Sequence, residues 1–141
     1  MKGRLIVIFK STLLAVILLF GVLSVAGAQS NGGGASGLYV APVRRSVFRA
    51  TGGTEWALFM EYYLLDPDGK LYHGWLPEAP GGGFLRFDYD EARLPGNSGI
   101  GSYTVSGNRV SLNEAHERTT GTLLGPDELE IRGTKYKRSV K

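Results

Sequence analysis

Trp56-Ala57-Leu58-Phe59-Met60-Glu61-Tyr62-Tyr63-Leu64-Leu65 reads as a β-strand, Asp66-Pro67-Asp68-Gly69 as a turn, and Lys70-Leu71-Tyr72-His73-Gly74-Trp75 as the returning strand. Successive side chains of an extended chain point to opposite faces. Trp56, Leu58, Met60, Tyr62 and Leu64 therefore share one face, and Ala57, Phe59, Glu61, Tyr63 and Leu65 the other. Both faces are largely apolar, which predicts a central strand covered on both sides, by a loop or by a partner. Proline fixes φ in the turn and glycine accepts the left-handed conformation, so Lys70 to Trp75 is expected to pair antiparallel with the first strand.

The same pattern recurs downstream. Gly101 to Val105, Ser106-Gly107-Asn108 and Arg109 to Asn113 predict a second hairpin. Tyr103, Val105, Val110 and Leu112 fall on one face; Ser102, Thr104, Arg109 and Ser111 fall on the other, as in a sheet with one wet side. A third hairpin is expected from Thr119 to Leu124, turning at Gly125-Pro126-Asp127-Glu128 and returning through Leu129 to Arg132. Tyr136 then sits in a short closing strand after Gly133. The first and third turns look alike because both need the same turn residues; a repeat architecture would need about three copies.

Upstream, Leu38 to Ala41 and Val47 to Ala50 suggest a strand interrupted at Pro42. Pro77 to Ser98 is the least regular stretch. There Phe84 to Tyr89 alternates like a strand, and Asp90-Glu91-Ala92-Arg93 allows one helical turn before Pro95-Gly96-Asn97. No helical period longer than about two turns is found. Seven or eight short strands, with a turn signal every ~8–12 residues, predict an all-β fold. A meander that closes on itself removes its exposed edges, which favours a small antiparallel meander β-barrel over an open sandwich.

Residues 1–28 have the three parts of a signal peptide. Lys2, Arg4 and Lys10 are basic, Ser11 to Val25 is apolar and uncharged, and Ala26-Gly27-Ala28 supplies small residues before Gln29. The apolar run is short of the ~20 residues of a transmembrane helix. Cleavage is expected, leaving no stable membrane anchor and an exported protein, periplasmic or extracellular. Residues 29–36 read as a flexible linker with nothing to bury, 37–138 as the barrel domain and 139–141 as a tail. The chain has 16 Lys and Arg against 13 Asp and Glu, a net charge of +3, and the leader accounts for that excess. A nucleic-acid binder would keep a basic excess after processing, so no nucleic-acid partner is expected. With no cysteine, the remaining 113 residues must hold together by burial alone, around a single core.

Gly37-Leu38-Tyr39 at the start of the first strand resembles the Gly-x-aromatic opening of calycin-type barrels, the lipocalins and avidins. Gly99-Ile100-Gly101-Ser102-Tyr103-Thr104-Val105-Ser106-Gly107-Asn108 and Leu129-Glu130-Ile131-Arg132-Gly133-Thr134-Lys135-Tyr136 are similar to later strands of lipocalin-like bacterial exported domains. As a pattern the likeness covers most of residues 37 to 138. It implies a barrel in which Arg138 takes the part of the late arginine that packs on the first-strand aromatic, here Tyr39, a structural role. It implies no defined ligand site, because position 39 is not Trp, the Thr-Asp-Tyr motif is missing, and the mature chain is shorter than a typical lipocalin.

Catalytic chemistry finds little support. His73 and His116 are the only histidines. A metal site built on His116 with Glu114 or Glu117 would need a sharp bend, since neighbours on a strand point to opposite faces; a polar loop is the plainer reading. There is no Gly-x-Ser-x-Gly elbow for a serine nucleophile. Asp88, Asp90 and Glu91 could supply a carboxylate pair for glycoside chemistry, but charges this close in sequence read as a solvated loop. The glycine triplets lack the strand–turn–helix context of a phosphate loop. No catalytic residue, metal ligand or cofactor is assigned. An enzyme would require His73 or His116 in a cleft within hydrogen-bond reach of a carboxylate.

Binding is the better expectation. Aromatics suit pockets and interfaces as well as cores. Tyr72, Trp75 and Phe84 border the Pro/Gly-rich loop Leu76 to Gly83, which could lid the mouth of a barrel. These three are the candidate ligand-binding residues of a non-enzymatic, lipocalin-like protein for a small apolar or aromatic ligand. The alternative is a protein-interaction or inhibitor domain acting through an exposed loop or strand edge. A concave apolar pocket would favour the first, and a filled core with an exposed apolar patch the second.

Overall fold

The computed structural model describes residues 34–84, 86–96 and 99–139. Its eight strands are β1 (Gly37–Phe48), β2 (Thr54–Leu65), β3 (Lys70–Pro77), β4 (Gly99–Ser106), β5 (Arg109–Glu114), β6 (Arg118–Gly125), β7 (Glu128–Ile131) and β8 (Thr134–Ser139). One short helix, α1 (Tyr89–Arg93), lies between β3 and β4. Each strand pairs antiparallel with the next, and Leu38, Tyr39 and Val40 of β1 close the ring on Ser139, Arg138 and Lys137 of β8. The expected all-β meander barrel is observed. Residues 1–33, which hold the expected leader and most of the linker, lie outside the described residues. Among the described residues no helix is long and apolar enough to cross a membrane.

Turn chemistry and alternation explain how the ring is built. Gly69 has φ +86°, its amide donates to the Asp66 carbonyl at 3.0 Å, and its own carbonyl accepts from the Tyr103 amide at 2.9 Å. The first turn is thereby tied to β4. The inward residues of each strand meet at the centre: Tyr39, Tyr63, Leu65, Leu71, Tyr103, Val110, Leu112, Leu129 and Tyr136 are all buried in one cluster. Burying a Leu or Val side chain stabilises a fold by about 2 kcal/mol, and Leu71, Val110 and Leu129 are wholly excluded from solvent. Tyr103 also donates to the Asp66 carbonyl at 2.8 Å, and burial pushes its hydroxyl pKa up to about 12.

A second, smaller cluster lies on the outside of the barrel. Leu38, Tyr62, Leu64 and Tyr72 pack there beneath Ala92 of α1, flanked by Phe87 and Tyr89. Asp88 caps α1, accepting from the amides of Asp90 at 2.9 Å and Glu91 at 3.0 Å. Arg93 at the other end of α1 pairs with both carboxylate oxygens of Asp66, at 2.9 and 2.8 Å. Gly74 has a packing reason to be glycine: a Cβ there would lie 2.5 Å from the Tyr62 hydroxyl, which crosses β3 at that point. The expectation that β2 is covered on both faces holds for this half of the strand, and the cover is α1 with the loop before it.

Four expectations need correction. β1 runs unbroken through Pro42, which pairs with Met60. Beyond Val40, β1 has β2 as its only strand neighbour among the described residues, so it is an edge strand there, and a proline nitrogen turned to the open side breaks no ladder bond. The described residues between Phe84 and Tyr89 form no strand: Phe84 makes one isolated bridge to Glu78, and the alternating aromatics Phe87 and Tyr89 instead cover the outer cluster. The linker does have something to bury, because Ala35 is 1% exposed within the main core. Ser139 belongs to β8 rather than to a tail. Arg138 does reach Tyr39, with its guanidinium 6.0 Å from the ring centroid, and donates to the carbonyls of Ser36 and Pro126.

Candidate functional site

The three strands around the first hairpin outrun the barrel at one end. Among the described residues β1 leaves β8 after Val40, and the β3–β4 pairing ends at His73 and Gly99, while β1, β2 and β3 continue together. Their ladder reaches Phe59–Pro77 between β2 and β3, and Phe48–Thr54 between β1 and β2. The result is a projecting sheet that tapers to a two-stranded hairpin. On its outer face lie Arg44, Phe48, Trp56, Leu58 and Met60; on the inner face lie Val43, Arg45, Ala57, Phe59 and Trp75. Phe48 is 79% exposed and Trp56 73%. Trp56 is two residues from Thr54, the partner of Phe48, so the two aromatics are diagonal neighbours on one face.

Hydrogen-bond phase fixes what the edge of this sheet offers. The Arg49 amide donates to the Gly53 carbonyl at 3.0 Å, which makes 49 and 53 a hydrogen-bonded pair. Alternation then assigns Val47, Arg45, Val43 and Ala41 to bonds with β2, and turns the backbone groups of Phe48, Ser46, Arg44 and Pro42 away from it. Pro42, which has no amide hydrogen, falls in the second set. Arg44 and Arg45 make no ion pair among the described residues, while Arg49 is paired with Glu55. An open cleft of about 520 Å³ runs beside the opposite edge, lined by Arg44, Trp56, Leu58, Phe59, Pro77 and Glu78.

Below this extension the barrel mouth is plugged by polar groups from four strands. His73 Nε2 lies 2.9 Å from Glu61 Oε1, and its Nδ1 lies 3.2 Å from Glu114 Oε2. The Tyr136 hydroxyl donates to the other Glu61 oxygen at 2.6 Å. The imidazole stacks on Tyr63, with centroids 4.2 Å apart and planes 5° from parallel, and Trp75 follows at 4.6 Å. Arg45 closes the column, its guanidinium 3.9 Å from the Trp75 ring centroid. Burial alone would lower the His73 pKa, but the bonds to Glu61 and Glu114 outweigh it and hold the ring above its ordinary value. Burial would likewise raise Glu61, but bonds from His73 and Tyr136 keep it below the usual value. Each ring nitrogen faces a carboxylate oxygen, and only the imidazolium can donate from both, so it is the form that satisfies this geometry.

That arrangement meets half of the condition set for an enzyme. Carboxylates are within reach of His73, but both ring nitrogens already have a carboxylate partner and the side chain is 12% exposed. Glu61 and Glu114 occupy different edges of the ring, and among the described residues no three metal-ligating side chains converge on one point. His116 is exposed in the turn between β5 and β6, where Glu114 and Glu117 exchange backbone bonds, and Glu117 pairs with Arg132.

The structure does not bring Tyr72, Trp75 and Phe84 together. Tyr72 is 6% exposed beneath α1, on the outside of the barrel. Trp75 is three residues on, hence on the inward face of β3, 39% exposed at the mouth. Phe84 sits in the loop, on its bridge to Glu78. The polar plug was half legible in sequence. Between Trp56 and Leu65, Glu61 is the one carboxylate on an apolar strand face, and parity puts His73 on the same face of the returning strand. Nothing local announces Glu114 or Tyr136, which arrive from β5 and β8. In comparison with known proteins, the chain matches no family model, no curated protein and no solved structure.

Proposed function

We propose that this chain is an exported protein-interaction domain whose working surface is the projecting sheet of β1, β2 and β3. The observation that carries this reading is the exposure of Phe48 and Trp56, side by side on a sheet that has outrun its barrel. Large aromatics left in water on a rigid ladder are costly unless something covers them, and aromatic and arginine side chains dominate the centres of protein interfaces. The small-ligand reading has weaker support, because the inward residues fill the barrel and its mouth is occupied by the His73 cluster. Its best remaining place is the 39% exposed face of Trp75 beside Arg45. The eight-strand meander and the Arg138–Tyr39 contact favour a distant kinship with calycin-type barrels; that kinship concerns the scaffold, not the surface.

A photo-crosslinking residue placed at position 56, in the producing organism, tests the proposal. A discrete protein adduct is expected from position 56 and none from position 109, exposed on the far β4–β5 hairpin. No adduct at 56, together with a small molecule that co-purifies and quenches Trp75 fluorescence, would restore the pocket reading.

A further inference from the structure

Resting on that reading of the surface, we infer that the partner contributes an extended acidic segment that pairs with the open edge of β1 along Pro42–Phe48. The amides of Arg44, Ser46 and Phe48 and the carbonyls of Pro42, Arg44, Ser46 and Phe48 face this edge. Among the described residues no backbone group meets them. A sheet edge in this state is a template for one more strand, and about seven incoming residues would satisfy it. The β1–β2 ladder already holds these residues extended, so little ordering is left to the partner.

Charge selects the occupant. Arg44 projects from the outer face and Arg45 from the inner, and neither has a carboxylate partner among the described residues. Two adjacent acidic residues on an added strand would point to opposite faces and meet one arginine each. A second copy paired antiparallel along the whole Pro42–Phe48 edge would instead set Arg45 opposite its own counterpart and Arg44 opposite Ser46, so a like charge or a neutral residue would stand where a carboxylate is wanted. Pro42 sets one end of the usable edge, because it accepts but cannot donate. Phe48 and Trp56 then lie beside the other end, available to apolar side chains of the same segment.

The test uses the purified protein and a capped peptide, Val-Thr-Val-Glu-Glu-Val-Thr-Val, with a Lys-Lys version as control. Saturable binding is expected, with hydrogen exchange at the Arg44, Ser46 and Phe48 amides slowed by about tenfold or more. The Lys-Lys peptide is expected to bind at least about tenfold more weakly. Ser46→Pro removes one edge donor and obstructs its neighbour; its nitrogen faces the open side, as that of Pro42 does, so the β1–β2 ladder survives. Its thermal midpoint is expected to stay near that of the parent while peptide affinity falls by about tenfold. Reversing Arg44→Glu and Arg45→Glu together is expected to invert the preference between the two peptides.

Absence of saturable binding, or binding without protection of those three amides, would overturn the inference. So would a Ser46→Pro variant that binds as well as the parent. A dimer seen by sedimentation and dissolved by Ser46→Pro would make a second copy the occupant. Binding to anionic vesicles that needs Phe48 and Trp56 but ignores Ser46→Pro would assign the surface to lipid. A protein adduct from position 56 that persists in Ser46→Pro would leave the docking surface standing and remove only strand pairing.

Discussion

β1, β2 and β3 each belong to two regions, and the same strands behave differently in each. In the barrel their inward residues meet five other strands, and their outward residues meet α1 and the loop before it. Leu38, Tyr62, Tyr63, Leu64, Leu65, Leu71 and Tyr72 are all buried there. In the extension the alternation of side chains continues, but among the described residues no second layer covers it, and Phe48 and Trp56 are exposed. Hydrophobic pattern specifies a strand in both places. Whether a face is a core or a surface depends on how far the neighbouring strands run.

The largest difference should appear in stability. Leu71 is fully buried at the centre of the barrel, so Leu71→Ala removes its transfer free energy and leaves a cavity. A loss of about 3 kcal/mol is expected, read as a fall in the urea midpoint at constant slope. Against a total stability of roughly 5–15 kcal/mol for a small domain, that is a large fraction. A loss below about 1 kcal/mol would mean the barrel is not filled as described.

The boundary between the regions should respond to pH. His73 has an ordinary value of 6.5 and is held above it in the fold. Its contribution to stability is complete below 6.5 and is lost as pH rises through the raised value. Glu61 is held below its ordinary 4.5, so its contribution is present above 4.5 and is lost as pH falls through the lowered value. The plug is therefore strongest between those two ordinary values. The urea midpoint should be higher at about pH 5.5 than at about pH 8.5, and His73→Gln should remove that difference. The variant should also cost about 2 kcal/mol at the lower pH, because Glu61 and Glu114 then face each other without the cation between them. Equal midpoints for the parent at the two pH values would show that the imidazolium is not shared.

These two regions also mark what a reader of the sequence can and cannot see. The strand Trp56–Leu65, its turn and the three hairpins were legible, because period-two alternation and turn residues are local signals. Tyr103, Val105, Val110 and Leu112 were assigned to one face on that ground, and all four are buried. Pro42 misled because a proline looks the same in a loop and on an edge; only the pairing of β8, which stops at Val40, makes it harmless. Phe84 to Tyr89 misleads because the alternation of Phe87 and Tyr89 serves packing as well as it serves a strand: Phe87 meets Tyr62 edge to face at 4.8 Å, and Tyr89 meets Phe87 the same way at 4.9 Å. Tyr72 and Trp75 are near each other along the chain, but an odd separation on a strand sends them to opposite faces. Glu114 and Tyr136 reach His73 only through closure of the ring, which no local pattern encodes.

The smallest expected effect is the most informative about the extension. Phe48→Ser with Trp56→Ser replaces two aromatics that contact mostly water. If the sheet folds for its own sake, removing so much apolar area should be felt; if the aromatics serve a partner, the isolated protein should hardly notice. A change within about 0.5 kcal/mol is expected, as for surface substitutions generally. The same double variant should lose the peptide described above, since its apolar ends pack beside Phe48 and Trp56. Stability kept and binding lost would separate a working surface from a structural one. A loss of about 2 kcal/mol or more would mean that the aromatics are covered within the chain after all, and the contrast between barrel and extension would disappear.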